Sequence, residues 1–276
     1  MLVTFWGVRG SIATSGSEFS RYGGNTTCLE ITCGDKQLIF DAGTGLRALG
    51  QKMLVEGRKE TTFFFSHLHW DHIQGFPFFS PAFVPGTKIE LYGPVDEDGV
   101  TTLHAALDAQ MKPPCFPVTL DMMASEKHFT TVASGDVIST GPFDVSMRAL
   151  NHPQGSLGFR IEAGGRSVCF ATDTEHKDEE IDDAILDLAR DVDLLIYDAQ
   201  YTEDEYEGRA GPSRRGWGHS TYVAATEIAH AAGAKQLALF HHDPTHDDAM
   251  VERMESDART RFVNAFAARE GLTLDV

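Results

Sequence analysis

The stretch "SHLHWDH", residues 66–72, places three histidines and an aspartate within six positions, directly after an apolar run. His67 and His69 lie two positions apart, so on an extended segment their side chains point to the same side. Asp71 and His72 follow where the strand must turn towards a helix. Imidazole suits zinc, and a carboxylate adds charge compensation and can orient a bound water. The stretch therefore predicts half of a metal site, which needs further ligands from elsewhere in the chain.

The composition is that of an ordinary globular protein. The chain has 276 residues, of which 42% are hydrophobic and 23% charged, so it has ample material for a core. No low-complexity linker or fixed-period repeat divides it, and we expect one hydrolase domain over residues 1–276. The four cysteines are scattered, without a C-x-x-C pair, which excludes a disulfide framework and a cysteine zinc site.

The formal net charge of −18 at pH 7 limits the range of partners. Such a surface repels phosphate backbones, which weighs against a protein that must grip a long nucleic acid. The sequence has neither a signal peptide pattern nor an apolar run long enough to cross a bilayer. We therefore expect a cytoplasmic protein with no membrane partner.

Short β-rich runs alternate with helical patterns in both halves of the chain. Strands are predicted at 2–6, 27–32, 37–41, 61–66, 88–93, 143–150, 155–163, 166–173, 192–199 and 236–242. Helices are predicted at 45–57, 98–111, 178–191 and 220–233, and a final helix is predicted to carry an apolar stripe from Val251 to Phe266. Two β-rich halves that each end in helices predict an α/β fold of two sheets packed face to face, with helices outside.

Further candidate ligands follow the ends of predicted strands. His152 comes after the strand at 143–150, and His241 and His242 end the strand at 236–242. Asp173 ends an apolar strand, where a carboxylate is costly unless it is paired or bound to a metal. Together these residues place acids and histidines at one edge of successive strands, where α/β folds bind ligands.

The order H-x-H-x-D-H, then His, Asp and His, resembles the metallo-β-lactamase superfamily over nearly the whole chain. The resemblance implies an αββα sandwich of two packed mixed β-sheets with outer helices, and a dinuclear metal site along one edge. One ion would be held by His67, His69 and His152, and the other by Asp71, His72 and His241, with Asp173 bridging them. The two divalent ions would be Zn²⁺, with Mn²⁺ as the alternative.

Two further features follow from this resemblance. Asp41, in "IFDAGTG", matches a superfamily motif in which the aspartate orients the ligand loop and is not itself a ligand. Counting back from Pro244 puts His241 at the family's last ligand position, with His242 as the alternative that would help to shape the site.

The segments "DLLIYDAQY" (193–201) and "GWGHSTYVAATEIAHAAGAKQLALFHH" (216–242) are similar to tRNase Z and to the small phosphodiesterases related to it. In those enzymes the histidine of "GHST" donates a proton and an acidic residue of an earlier strand orients it. The matching residues here are His219 and Asp198. The family carries His-Glu on that strand, whereas this chain has Tyr197 followed by the shorter acid Asp198.

The function implied is that of a metal-dependent phosphoric diester hydrolase. Two metals would lower the pKa of a bridging water, Asp71 could orient the resulting hydroxide, and His219 would give a proton to the leaving alkoxide. tRNase Z clamps its RNA with a Gly-rich basic arm, and the nearly uncharged stretch between Leu103 and His128 offers no such arm. A small phosphodiester, above all a cyclic nucleotide, is therefore the expected substrate, and the resemblance implies a homodimer.

Several alternatives remain open at the level of sequence. They are a tRNA 3′-processing endonuclease, a thioester or lactam hydrolase, and a binding protein with a degenerate site. The aromatic run after the metal cluster could stack on a base, but core packing is the stronger expectation for its members Phe76, Phe78, Phe79 and Phe83. Arg214 and Arg215 could meet a phosphate or lie in a solvated loop.

Overall fold

A computed structural model of the chain describes residues 1–96, 99–177 and 181–276. The first sheet has seven strands in the order β14-β1-β2-β3-β4-β5-β6. Its strands are β1 (Leu2–Gly7), β2 (Cys28–Cys33), β3 (Lys36–Phe40), β4 (Glu60–Phe64), β5 (Lys88–Gly93), β6 (Glu126–Thr131) and β14 (Thr273–Asp275). The pairs from β14 to β3 are antiparallel and those from β3 to β6 are parallel, so the sheet is mixed.

The second sheet also has seven strands, in the order β13-β12-β11-β10-β9-β8-β7. Its strands are β7 (Val137–Thr140), β8 (Phe143–Leu150), β9 (Ser156–Ala163), β10 (Arg166–Ala171), β11 (Leu194–Asp198), β12 (Leu237–Phe240) and β13 (Ala265–Ala267). Pairing is parallel from β13 to β10 and antiparallel from β10 to β7. This arrangement confirms the expected pair of mixed sheets.

The helices lie in the connections between strands. Their bounds are α1 (Leu46–Glu56), α2 (Trp70–Ile73), α3 (Leu103–Gln110), α4 (Asp183–Ala189), α5 (Glu203–Tyr206), α6 (Tyr222–Ala232) and α7 (Asp248–Arg261). Short 3₁₀ turns lie at Ser17–Phe19, Phe76–Phe78, Ser80–Phe83 and Leu120–Met122. In the part of the chain that is described, no helix has the length and apolar character to cross a membrane.

An aromatic core fills the space between the two sheets. The Phe40 ring, on β3, lies 5.5 Å from the ring of Phe64 in its own sheet. It also lies 5.3 Å from the Phe159 ring and 5.8 Å from the Phe170 ring, both of the second sheet. Helices α4, α6 and α7 cover the outer face of the second sheet, and α1 and α3 cover that of the first. The layers are therefore helix, sheet, sheet and helix, as the αββα prediction requires.

Most of the predicted elements are confirmed, and the exceptions have physical reasons. The helix predicted from residue 98 begins at Leu103, where the Thr102 side chain accepts a hydrogen bond from the Ala105 amide and caps the helix. Residue 98 itself, and 178–180 of the helix predicted at 178–191, lie outside the described residues. The prediction of the final helix was wrong at its C-terminal end, because α7 ends at Arg261 and Phe266 belongs to β13.

The strands that the sequence did not predict, β6, β7, β13 and β14, are the edge strands of the two sheets. Strand β6 has the sequence EKHFTT, and four of its six residues are exposed. An edge strand gains its stability from backbone pairing with one neighbour, so it needs no apolar alternation that a pattern search could find.

The inter-sheet core makes a first prediction about stability. We expect Phe40→Ala to lower the free energy of unfolding by about 3–5 kcal/mol, because it deletes a fully buried ring that contacts both sheets. Urea unfolding followed by circular dichroism measures the change. Val55→Ala, at a side chain that is 90% exposed, is the control and should change stability by less than about 0.5 kcal/mol. A loss below about 1 kcal/mol for Phe40→Ala would contradict this description of the core.

Candidate metal centre

The candidate ligands lie in loops that leave the strand ends at one edge of the two sheets. Strand β4 ends at Phe64 and leads into the histidine-rich loop, and helix α2 begins at Trp70. His152, Asp173 and His241 follow β8, β10 and β12. The apolar strands fix where each loop begins, so the functional side chains are carried on rigid supports.

The backbone at this edge has an unusual conformation. Five residues other than glycine adopt positive φ angles there, and such angles cost energy that surrounding structure must offset. They are Ser11 (62°), Asp41 (58°), Gln154 (63°), Asp173 (53°) and His241 (63°). Strain of this kind concentrates at functional sites, where it aims side chains that a relaxed loop would direct elsewhere.

Three histidines form the first group of candidate ligands. A nitrogen from each of His67, His69 and His152 lies within 4.8 Å of the other two. The His152 Nε2 and His69 Nδ1 atoms are 3.1 Å apart. The other nitrogen of each ring has a hydrogen-bonding partner, which fixes the orientation of the ring. For His67, His69 and His152 in turn, these partners are Ser66 Oγ at 3.0 Å, Gln154 Oε1 at 2.7 Å and the Gly218 carbonyl at 2.8 Å.

Asp71, His72 and His241 form the second group. Asp71 Oδ2 lies 3.4 Å from the Nε2 atoms of both histidines. His72 Nδ1 donates to Asp41 Oδ2 over 2.8 Å, and His241 Nδ1 donates to Gln200 Oε1 over 2.9 Å. Both rings therefore carry a proton on Nδ1 and direct Nε2 into the group, since a carboxylate or amide oxygen can only accept.

Asp173 lies between the two groups. Its Oδ1 atom is 3.7 Å from His67 Nε2 and 3.8 Å from His152 Nε2. Its Oδ2 atom is 3.2 Å from His72 Nε2 and 3.3 Å from His241 Nε2. One oxygen faces each group, which is the arrangement that a carboxylate bridging two cations requires.

The hydrogen-bonding state of these residues tests whether they fit metal ions. The Nε2 atoms of His67, His72 and His241 are buried and have no hydrogen-bond partner among the described residues. Burial is the largest effect holding the pKa of His67 well below its usual value, so this ring is neutral and keeps a lone pair. Burial disfavours the charged form of Asp173, but the facing His241 and His72 rings hold its pKa well below the usual range. Buried imidazole nitrogens without a hydrogen-bond partner, beside ionised carboxylates, fit a dinuclear centre of divalent cations.

His219 and Asp198 form a pair at the side of this centre. His219 Nδ1 donates to Asp198 Oδ2 over 2.8 Å, and its ring stacks 5.0 Å from the His241 ring. Asp198 Oδ1 accepts from the backbone amides of Ser220 and Gln200, each at 3.1 Å. Burial lowers the pKa of His219, but the Asp198 carboxylate outweighs it and raises the pKa to about 9. The carboxylate thus fixes one ring nitrogen and leaves Nε2 to act.

The structure places His241, and not His242, in the cluster. His242 Nε2 lies 2.9 Å from the Ala268 carbonyl and donates to it. Burial, followed by the positive charge of Arg9, lowers the pKa of His242 to about 3, so the ring is neutral. The left-handed backbone at His241 turns the two consecutive side chains in different directions.

Glu175 is a residue that the sequence reasoning missed. Its Oε1 atom accepts from the Gly216 amide at 2.7 Å and the Tyr206 hydroxyl at 2.8 Å, and Oε2 accepts from the Gly218 amide at 2.9 Å. Gly218 in turn orients the His152 ring through its carbonyl. A Cβ at Gly218 would lie 2.3 Å from His152 Nδ1, so only glycine allows this approach.

The sequence carried no usable signal for this role. Glu175 lies two positions after Asp173, but its partners are 31 to 43 residues further along the chain. Gln200 was missed for the same reason, since its contact with His241 spans 41 residues. Fold geometry alone brings such pairs together.

The four phenylalanines of the aromatic run differ in burial, and the two arginines contact neighbouring side chains. Phe76 and Phe79 are fully buried in the core under α1, whereas Phe78 and Phe83 are 55% and 38% exposed. Arg215 pairs with Glu207, and the Arg214 guanidinium carbon lies 4.4 Å from the centre of the Trp217 ring. Core packing therefore accounts for the first two phenylalanines.

Two packed mixed sheets with a buried His/Asp centre at one edge define a metal-dependent hydrolase of the metallo-β-lactamase fold. Residues 36–242 match the family described as "Beta-lactamase superfamily domain", and the chain belongs to this superfamily.

Individual relatives are more distant. Ribonuclease Z of Streptococcus equi subsp. equi (strain 4047) is 26% identical over 282 aligned residues, which cover 84% of this chain and 87% of that protein. The metallo-beta-lactamase fold protein YhfI of Bacillus subtilis superimposes with a TM-score of 0.73 at 20% identity, covering 99% of this chain and 98% of that one. A diphosphatase of the PhnP family superimposes with a TM-score of 0.71 at 19% identity, covering 100% and 97%. At these identities the two structures support the fold.

The position of Asp173 generates a prediction about metal binding. We expect the unaltered protein to bind about two Zn²⁺ per chain and Asp173→Asn to bind one or fewer, because an amide facing both groups supplies no negative charge. Equilibrium dialysis with elemental analysis measures the stoichiometry. Asp191→Asn is the matched control, since Asp191 also has a positive φ of 55° but lies outside the cluster. Equal zinc content in the two variants would refute the bridging arrangement.

The contacts of Glu175 generate a second prediction. Glu175→Gln leaves at least one of the Gly216 and Gly218 amides facing an NH₂ group, and an unsatisfied donor costs about 1–3 kcal/mol. We expect hydrogen exchange at these amides to accelerate about tenfold or more, measured by mass spectrometry on overlapping peptides. Glu207→Gln, which removes the charge of a partly exposed carboxylate paired with Arg215, is the control. Unchanged exchange in Glu175→Gln would show that this carboxylate does not hold the loop.

Proposed function

We propose that the chain is a dinuclear metal-dependent phosphodiesterase that hydrolyses a small phosphodiester, in particular a cyclic nucleotide. The observation that carries the proposal is the His219–Asp198 pair, bonded over 2.8 Å and stacked against His241. An alkoxide leaving group needs a proton, and an imidazole held by a carboxylate is suited to supply it. Hydrolysis of a thioester or lactam does not need such a pair.

The same proposal assigns the ligands. The three-histidine group would hold one ion and the Asp71 group the other, with Asp173 contacting both. The unpaired Nε2 atoms and the two-sided position of Asp173 support this assignment. Five imidazoles with two carboxylates favour Zn²⁺, and Mn²⁺ is the alternative.

Bound ions would supply Lewis acidity towards the phosphoryl oxygens and would lower the pKa of a water molecule. Asp71 would orient the attacking water, and a 2.7 Å hydrogen bond from the Ser11 amide to its Oδ2 atom holds the carboxylate in place. Asp198 holds the His219 ring by Nδ1, so Nε2 carries the proton that passes to the departing oxygen. Two backbone amides, those of Gln200 and Ser220, donate to Asp198 Oδ1 and hold this carboxylate in place.

Charge and surface features support a small substrate. The net charge is −18, which opposes association with a polyanion. Within residues 103–128 both lysines are engaged locally, Lys112 by Asp108 and Lys127 by backbone carbonyls including that of Met123. That stretch therefore has no free basic arm with which to clamp an RNA.

A tRNA 3′-processing endonuclease is the second candidate. The likeness to Ribonuclease Z over 84% of the chain favours it, whereas the charge distribution opposes it. The homodimer that the resemblance implies stays a prediction, which sedimentation velocity would test.

The deciding experiment compares two leaving groups. We expect His219→Ala to lower kcat for a 2′,3′- or 3′,5′-cyclic nucleotide by about 100-fold or more, the usual contribution of a general acid. The loss on bis-p-nitrophenyl phosphate should be less than about fivefold, because p-nitrophenolate leaves without a proton. Both rates are measured on metal-loaded protein. His128→Ala, at an exposed histidine of β6, is the control and should retain full activity.

Three results would count against the proposal. An equal loss on both substrates would remove the proton-donor role of His219. Cleavage of a thioester or lactam without cleavage of any phosphodiester would show that the branch of the superfamily is wrong. Processing of a precursor tRNA with a higher kcat/KM than any cyclic nucleotide would favour the endonuclease.

A further inference from the structure

Two adjoining cavities open beside the three-histidine group. The smaller, of about 160 Å³, is lined by His67 and His69. The larger, of about 360 Å³, is also lined by His67, and both cavities share the walls formed by Leu68 and Gln154. A molecule whose reacting group lies at the metal centre could therefore extend through the smaller cavity into the larger one.

One shared wall is held in place by the centre itself. Gln154 has a φ of 63°, and its Oε1 atom accepts a 2.7 Å hydrogen bond from His69 Nε2. Gln154, which lines both cavities, is thus held in place by the His69 ring that it orients. A ligand would meet preformed walls, which reduces the ordering cost of binding.

The larger cavity has apolar walls and no positive charge. Its apolar lining includes Leu68, Val95, Val132, Ala133 and Leu157. Among the described residues, neither cavity is lined by lysine or arginine. A volume of about 360 Å³ lies at the lower end of the range for small-molecule sites, which is enough for one ring system and not for a polymer. A second phosphate entering here would have no counter-charge.

Two polar groups on these walls have unused hydrogen-bonding capacity. Asp96 lines both cavities, and none of the described residues donates to its carboxylate. Ser156 lines the larger cavity and is only 4% exposed, and its hydroxyl has no partner in the described chain. A buried hydroxyl without a partner is rare in folded proteins and indicates that something else supplies the hydrogen bond.

We infer that these cavities are the nucleoside subsite of the hydrolase, and that its substrate is a monomeric nucleoside phosphodiester with a single phosphate. The sugar lies in the smaller cavity and donates a hydroxyl hydrogen bond to Asp96. The uncharged base lies between the apolar walls of the larger cavity, within reach of Ser156. The inference rests on the proposed phosphodiesterase function and adds where the sugar and the base bind and which residues select them.

The first test fills the larger cavity. Ala133 is exposed and lies in the loop after β6, so Ala133→Phe introduces a ring at the wall without disturbing the core. We expect this variant to raise KM about tenfold for a nucleoside 2′,3′-cyclic phosphate and to change kcat/KM less than twofold for glycerol 1,2-cyclic phosphate, which has no base. Ala249→Phe, at an exposed alanine of α7, is the matched control and should change neither value.

The second test measures binding without catalysis. Saturation-transfer NMR with adenosine, on protein freed of metal by a chelator, should give a signal for the unaltered chain and for Ala249→Phe. Ala133→Phe should lose most of that signal. Circular dichroism verifies that all variants are folded.

Asp96→Asn provides a second variant for the sugar contact. The amide keeps the size of the carboxylate and removes its charge. We expect KM to rise at least threefold for a 3′,5′-cyclic ribonucleotide and to change less for its 2′-deoxy counterpart, which lacks the donating hydroxyl.

The outcomes separate this inference from the function on which it rests. If the unaltered protein hydrolyses neither cyclic phosphate, the proposed function fails, and the adenosine signal alone decides whether the subsite exists. If both phosphates are hydrolysed but Ala133→Phe affects them equally, or leaves KM and the adenosine signal unchanged, the subsite assignment is overturned and the phosphodiesterase stands.

Discussion

The Asp173 carboxylate is the constraint on which the rest of the site depends. Its two oxygens face two different sets of imidazole nitrogens at 3.2–3.8 Å, so each set meets half of one negative charge. Such an arrangement is stable only if the carboxylate is held at one point and one angle. The buried strand β10 fixes the position of the carboxylate, and the left-handed backbone at Asp173 fixes its orientation. The surrounding hydrogen bonds then fix which nitrogen of each histidine faces inward.

Sequence patterns predicted those parts of the molecule in which the adjacent residues in the sequence determine whether a side chain is buried. Buried strands such as β11 and β12 are apolar runs in the sequence. The spacing of the ligand-type residues between His67 and His72 indicated a metal site without any knowledge of the fold. The ends of predicted strands added His152, Asp173 and His241 as candidates, and the resemblance to a superfamily assigned them to one dinuclear site. Edge strands such as β6 were missed because backbone pairing, and not side-chain burial, holds them in place.

The choice between His241 and His242 shows why the remaining features could not be predicted. The two are identical in type and adjacent in sequence, and both are buried. What distinguishes them is a φ of 63° at His241 and an acceptor at Ala268 for its neighbour. Glu175 likewise acts through contacts that arise only when distant loops meet. These features depend on long-range geometry, which neither periodicity nor composition records.

The candidate ligands come from both sheets, and this division has a consequence for folding. The loop after β4 of the first sheet carries His67, His69, Asp71 and His72, whereas His152, Asp173 and His241 follow strands of the second. Ions bound by both groups would act as cross-links between the two halves of the sandwich. Part of the free energy of metal binding would then hold the two sheets together, so the supply of metal in the cell would change the stability of the folded chain as well as its activity.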